Sequence, residues 1–268
     1  MTPSPTSLAY VERGRGAPLV LLHAFPLSRA MWDAQLARWS DRWRVIVPDL
    51  PGFGESDRNP PPSIARMAAA VEELLDGLEV EGSIVLAGLS MGGYAAFEFA
   101  RQFPERLRAL ILISTRVAAD TPQQREGRMR MIERLRREGW GAPIIESVRS
   151  NLLGRTTLEA RPEVVAQVTA LMQEARVEGV IDALYAMAER RDSTPLLSKL
   201  HCPALVIAGA EDSLIGPEEG RLMAAALRAR FELLPGIGHL ANLEQPALFH
   251  DAVEAFLEQL RTEDRLQA

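Results

Sequence analysis

The sequence predicts an α/β protein: a doubly wound, mostly parallel sheet with a helical cap inserted into it. Three observations carry this. Short apolar runs rich in Val, Ile and Leu recur along the chain. Segments with helical spacing of apolar residues separate them. The alternation then stops between residues 117 and 197, where helical spacing continues without a strand. Runs too short for a buried helix fit strands covered on both faces, as a parallel sheet requires. Alternation with helices implies right-handed crossovers and an open sheet.

Taken in order, segment 6–13, bounded by Gly14 and Gly16, reads as an antiparallel edge strand. Runs 19–22, 45–47, 84–87, 110–113 and 205–208 read as the inner strands. Pro60-Pro61-Pro62 is a stiff turn, after which Ile64, Met67, Val71, Leu74 and Leu78 share one helical face. Segment 92–102 reads as a helix that stops at Pro104, because proline cannot continue the hydrogen-bond ladder. Within the insertion, Pro122, Pro143 and Pro162 punctuate the chain, the last two near helix starts. A structureless loop of that length is implausible, so the insertion is a helical cap. Its arginines between 125 and 137, interleaved with Glu126 and Glu133, read as a solvated helix face rather than an anion-binding patch. Pro246 opens a last helix whose apolar face is Leu248, Phe249, Ala252, Val253, Phe256 and Leu260. The division that follows is a core of residues 1–116 and 198–268 and a cap of residues 117–197.

Composition narrows the function. A chain of 268 residues with 47% hydrophobic and 25% charged residues is an ordinary globular protein, not a disordered one. The net charge of −6 argues against nucleic acid or an anionic membrane surface as the partner. Cys202 is the single cysteine, which excludes an intrachain disulfide and a zinc cluster of cysteines. Lys199 is the single lysine. A GC-rich coding sequence explains that bias more economically than ion-pair networks for heat tolerance. The start Met1-Thr2-Pro3-Ser4-Pro5 lacks a basic stretch followed by an apolar one, and no apolar run is long enough to span a bilayer. The expectation is a cytoplasmic protein, monomeric or homodimeric, that acts on a small molecule.

The chemistry sits in Gly88-Leu89-Ser90-Met91-Gly92-Gly93, between the run 84–87 and a helix. A G-x-S-x-G segment in that context is a sharp strand-to-helix turn. It holds a serine in a strained conformation with its hydroxyl exposed, and aims the positive end of the helix at it. A serine hydroxyl needs a base. Of the four histidines, His23 ends an apolar run and reads as a loop-shaping residue. His201 beside Cys202-Pro203 reads as structural, and His250 lies on the polar side of the last helix. His239, in the glycine-rich loop Gly236-Ile237-Gly238-His239 after the run 231–234, is the candidate base. The base needs a carboxylate to orient it. Asp212, after the run 205–208, is the first candidate, Glu211 competes with it, and Asp120 is weaker.

With these residues in place the sequence resembles the α/β-hydrolase fold superfamily across nearly all of the chain outside the cap. The matching segments are Leu22-His23-Ala24-Phe25-Pro26, Asp49-Leu50-Pro51-Gly52-Phe53-Gly54-Glu55-Ser56, the elbow at Ser90, and the Asp212 and His239 loops. Gly88 to Tyr94 and the stretch from Pro235 to Pro246 are similar to bacterial esterases and the 3-oxoadipate enol-lactonase-like branch. The resemblance implies the order Ser90, Asp212, His239 for a catalytic triad, and acyl transfer without a cofactor or metal. It also implies that the backbone N–H groups of Phe25 and Met91 form the oxyanion hole. Ala24 stands where the family usually has glycine, which puts the aim of the Phe25 amide in question.

The implied activity is hydrolysis of a carboxylic ester or lactone through an acyl-enzyme. The same triad also serves perhydrolysis, carbon–carbon bond hydrolysis and hydroxynitrile lysis, and a non-catalytic ligand receptor on this fold is a further alternative. Dehalogenase and epoxide-hydrolase chemistry is disfavoured, because those relatives use an aspartate where this chain has Ser90. In the cap, Trp140, Met172, Leu184 and Met187 are candidates for lining an acyl pocket, although residues of this kind more often form plain cap core.

Overall fold

The computed structural model describes residues 8–58 and 62–267, and side chains as far as residue 262. The first residues of the expected edge strand, the start of the chain, and Pro60 and Pro61 lie outside the described residues.

The sheet has seven strands: β1 (Tyr10–Arg13), β2 (Pro18–Leu22), β3 (Arg44–Pro48), β4 (Ile84–Leu89), β5 (Leu107–Ile113), β6 (Ala204–Gly209) and β7 (Arg230–Leu234). Their spatial order is β1-β3-β2-β4-β5-β6-β7. β1 pairs antiparallel with β3, with Val11 opposite Val47, and every other pair is parallel. β1 is thus the antiparallel edge strand expected from the sequence.

Successive side chains of the inner strands point to opposite faces and are buried on both. Val20, Leu22, Ile84, Leu86, Leu110 and Leu112 join one apolar cluster; Leu19, Leu21, Val85, Ala87, Ile111 and Ile113 join another. This explains why the strands read as unbroken apolar runs instead of alternating ones. The first cluster packs against α2 (Ile64–Gly77) and α3 (Met91–Gln102). Ser63 caps α2 by accepting from the Arg66 N–H at 3.1 Å. Leu78 lies one residue past the end of α2 and turns the chain there.

Between β5 and β6 the chain forms α4 (Pro122–Glu138), α5 (Ala142–Leu152), α6 (Arg155–Ala160), α7 (Pro162–Gln173) and α8 (Val177–Ala188). Pro122, Pro143 and Pro162 all stand in first turns, where a missing N–H costs nothing. A reciprocal pair closes the start of α4: Thr121 accepts from the Gln124 N–H, and the Gln124 side chain accepts from the Thr121 N–H. The arginines of α4 are mostly solvated, but Arg128 turns inward with its side chain 21% exposed, held by the buried Asp120. That departs from the all-solvated face expected for this run.

Asp120 also accepts from Arg190, whose guanidinium sits 4.1 Å from the centroid of the Tyr94 ring. A buried carboxylate between two guanidiniums satisfies the charges that burial would otherwise penalise.

After β6 come α9 (Pro217–Leu227) and, after β7, α10 (Ala241–Glu244) and α11 (Pro246–Gln267). With a preceding helix, α1 (Asp33–Trp39), α11 covers the second face of the sheet. His250 is not on a purely polar side of α11. It is half-buried against α1, with Gln35 Nε2 3.0 Å from its Nε2 and Trp39 packed on its ring.

Candidate active site

Ser90 occupies the turn between β4 and α3 with φ 54° and ψ −110°, a conformation that L-residues rarely adopt. Contacts on both sides hold it there. Its N–H donates to the Ile113 carbonyl at 2.9 Å, and its carbonyl accepts from the Thr115 hydroxyl at 2.9 Å and from the Gly93 N–H at 2.9 Å. The elbow is pressed against β2. A Cβ on Gly92 would lie 2.3 Å from the Leu22 carbonyl oxygen, and one on Gly88 2.3 Å from the Gly92 oxygen. Side chains at either position would push the serine off its place.

His239 follows β7 in a loop and is buried. Its N–H donates to the Leu152 carbonyl at 3.0 Å. Its Nδ1 lies 2.7 Å from Asp212 Oδ2. The other oxygen of Asp212 accepts from the N–H groups of Leu214 and Ile215 at 2.9 and 3.0 Å. Burial on its own pushes the Asp212 carboxyl up, but the neighbouring His239 and the two amides outweigh it and hold the group below the usual aspartate value. With Nδ1–H donating to a carboxylate, Nε2 is left as the accepting nitrogen.

The competing carboxylates are engaged elsewhere. Glu211 accepts from the Thr156 N–H at 2.7 Å and the Thr156 hydroxyl at 2.6 Å. Asp120 is committed to Arg128 and Arg190. His201 is exposed. His23 bridges the strand ends: Nδ1 donates to the Ala24 carbonyl at 3.0 Å and Nε2 accepts from the Leu50 N–H at 2.9 Å. Burial pushes its pKa down, against the opposing influence of the Ala24 carbonyl and Asp49. It is a loop-shaping residue, as its place in the sequence suggests.

Ala24 fits the loop that carries Phe25 without strain. Among the described residues the non-glycine positions with positive φ are Glu79, Ser90, Ser114 and Arg228, so Ala24 is not one of them. Its N–H points at Met31 Sδ at 3.2 Å, and its carbonyl accepts from the Leu27 N–H at 2.9 Å. The loop that presents Phe25 is therefore fixed from both sides. Met91 is the first residue of α3, where an N–H has no partner within the helix.

Phe25, Ser90 and His239 share the wall of a cavity of about 370 Å³. Leu184 and Met187 from α8 line it too, with Trp140 from the turn between α4 and α5. Met172 does not: its side chain is buried in the second cluster, and its carbonyl accepts from Trp140 Nε1 at 2.7 Å. Arg116, Arg128, Tyr94 and Asn151 also line the cavity, and among the described residues no Asp or Glu does. Arg128 and Asn151 gave no signal in the sequence, because their inward direction depends on how α4 and α5 dock, while Tyr94 comes from α3 and Arg116 from the loop after β5. Among the described residues no group of three His, Cys, Asp or Glu side chains is placed to hold a metal ion, and no helix is long and apolar enough to cross a membrane.

Comparison with known proteins gives a consistent picture. A thermophilic esterase from Thermogutta terrifontis, solved with malate bound, is 43% identical, covers 97% of this chain and 96% of its own, and superposes with a TM-score of 0.92. The enol-lactonase from Burkholderia xenovorans is 27% identical over 96% of this chain and 99% of its own, with a TM-score of 0.86. The 3-oxoadipate enol-lactonase 2 of Acinetobacter baylyi is 28% identical over 261 residues, which is 96% of this chain and 95% of that protein. The family model described as alpha/beta hydrolase fold matches residues 17–246. Seven strands in this order, a strained serine between strand and helix, and this match over most of the length together place the chain in the alpha/beta hydrolase fold family.

Proposed function

We propose that the protein is a serine hydrolase that cleaves carboxylic esters or lactones through an acyl-enzyme, with Ser90 as nucleophile, His239 as base and Asp212 as its orienting carboxylate. The observation that carries this is the 2.7 Å contact between Asp212 Oδ2 and His239 Nδ1, with His239 and the strained Ser90 on one cavity wall. Esterase and enol-lactonase relatives along the full length support the same chemistry.

In this scheme His239 Nε2 takes the Ser90 proton as Oγ bonds to the carbonyl carbon. The N–H groups of Phe25 and Met91 hold the negative oxygen, each at a typical value of about 3 kcal/mol of barrier. His239 then protonates the leaving alkoxide, and later takes a proton from the water that frees the acyl group. Asp212 keeps the imidazole in the right tautomer and stabilises its charged form. Residues 117–197 act as a cap over a core of residues 1–116 and 198–268, and Trp140, Leu184 and Met187 shape the site for a small acyl group. No cofactor or metal takes part in any step, and the working unit is a monomer or homodimer.

The test is p-nitrophenyl acetate under pre-steady-state conditions, followed by a panel of short esters, lactones and enol-lactones. A burst of p-nitrophenol in the native protein, absent in Ser90→Ala together with labelling by a serine-directed phosphonate, is the expected result. Undiminished turnover by Ser90→Ala rejects the scheme, and tight binding of esters without turnover indicates a receptor.

A further inference from the structure

We propose that Glu244 is a positioning residue for His239, an inference that rests on the assignment of His239 as the base. Glu244 is fully buried at the end of α10. Its Oε2 accepts from the Gly238 N–H at 3.1 Å, and its Oε1 accepts from the Leu240 N–H at 3.1 Å. These are the residues immediately before and after His239, so one carboxylate grips the histidine's backbone from both sides.

The same Oε2 also accepts from the Gly154 N–H at 2.8 Å and from the Thr157 hydroxyl at 2.6 Å, at the start of α6. Backbone contact reinforces this joint: a Cβ on Gly238 would lie 2.1 Å from the Gly154 nitrogen. Glu211, next to Asp212, grips the same turn through Thr156. Two carboxylates, one beside each member of the Asp–His pair, thus fasten both loops to one turn of the inserted helices.

Each hydrogen-bond partner of the Glu244 carboxylate is a donor, so the site asks for two accepting oxygens. In Glu244→Gln the amide group must turn its NH2 toward either the Leu240 N–H or the three donors on the other oxygen. Each orientation sets donor against donor and loosens the loop that carries the imidazole. A displacement of the base by a fraction of an ångström acts on the chemical step more than on substrate binding, because the cavity wall contributed by Trp140, Leu184 and Met187 is untouched.

The experiment compares kcat, KM, the pH dependence of kcat/KM and the melting temperature of the native protein, Glu244→Gln and Thr157→Val. Thr157→Val removes one donor from the α6 side and leaves the carboxylate in place, so it reports on the same joint if Glu244→Gln does not fold. Expected for Glu244→Gln is a fall in kcat of about 10- to 100-fold with KM within about twofold. A displaced acid limb of the pH profile accompanies it. Thr157→Val shows a smaller fall in kcat, again without a matching change in KM. Lower melting temperatures with native kcat and native pH profiles in the variants that fold overturn the proposal. Ser90→Ala run alongside separates the two ideas. If Ser90→Ala is inert and the Glu244 and Thr157 variants are fully active, the positioning role fails and the serine chemistry stands. If Ser90→Ala is active, the serine chemistry itself fails.

Discussion

Asp212 and His239 meet at 2.7 Å in a setting where their side chains are 0% and 2% exposed. Water cannot substitute for either partner there, so the pair acts as a unit. Asp212→Asn replaces the accepting oxygen with an amide that can steady the wrong tautomer. A fall in kcat of about 10⁴-fold is expected, with a well-folded protein. Glu211→Gln, which breaks contacts to Thr156 only, should lower kcat far less. Steady-state kinetics on one ester for both variants decides it, and equal losses would show that the two carboxylates are not distinguished as assigned.

The φ of 54° at Ser90 makes a stability prediction that runs against activity. Glycine tolerates that conformation and alanine does not. Ser90→Gly should therefore melt higher than Ser90→Ala, by the equivalent of about 1 kcal/mol. Calorimetry of the two variants checks it, and a more stable alanine variant would mean the turn carries no strain.

His23 makes folding acid-sensitive. Its folded pKa lies below the ordinary 6.5 because burial disfavours the charged ring. The unfolded chain therefore binds the proton first as pH drops. The contribution to stability is complete above about pH 6.5 and is lost progressively as pH falls from there toward the folded value. Urea unfolding at about pH 7.5 and about pH 5.5 should show the loss in the native protein. His23→Gln, less stable at the higher pH, should show a shallower decline. An unchanged slope would remove His23 from the account.

Asp120 is the shared counter-charge of Arg128 and Arg190, and the Arg190 side chain is only 3% exposed. Asp120→Asn leaves a buried guanidinium without an anion, which should cost about 3–5 kcal/mol of stability. Chemical denaturation measures this directly. A loss below about 1 kcal/mol would place the pair in the class of exposed ion pairs.

The strands and the serine turn were legible in the sequence because each rests on local rules. Runs such as 84–87 are apolar at every position because both faces of β4 are covered, and the glycines around Ser90 answer contacts a few residues away or with the neighbouring strand. The choice between Glu211 and Asp212 was not local. Adjacent residues in one turn point in opposite directions, and only the position of α6 shows that Glu211 belongs to Thr156. The inward turn of Arg128 is hidden for the same reason. Helical spacing says which residues share a face, but not which neighbour that face meets. His250 looked polar because Gln35, its partner, lies more than two hundred positions upstream.

Ser90 leaves β4 early in the chain, whereas Asp212 and His239 leave β6 and β7 near its other end. On the proposed assignment, a ribosome-bound fragment that has completed only the first five strands contains the nucleophile but not its base. Under that assignment the hydroxyl has no base beside it until β7 pairs with β6 and the loop after β7 follows. On this assignment, fragments that end before residue 239 should be chemically inert however well they fold.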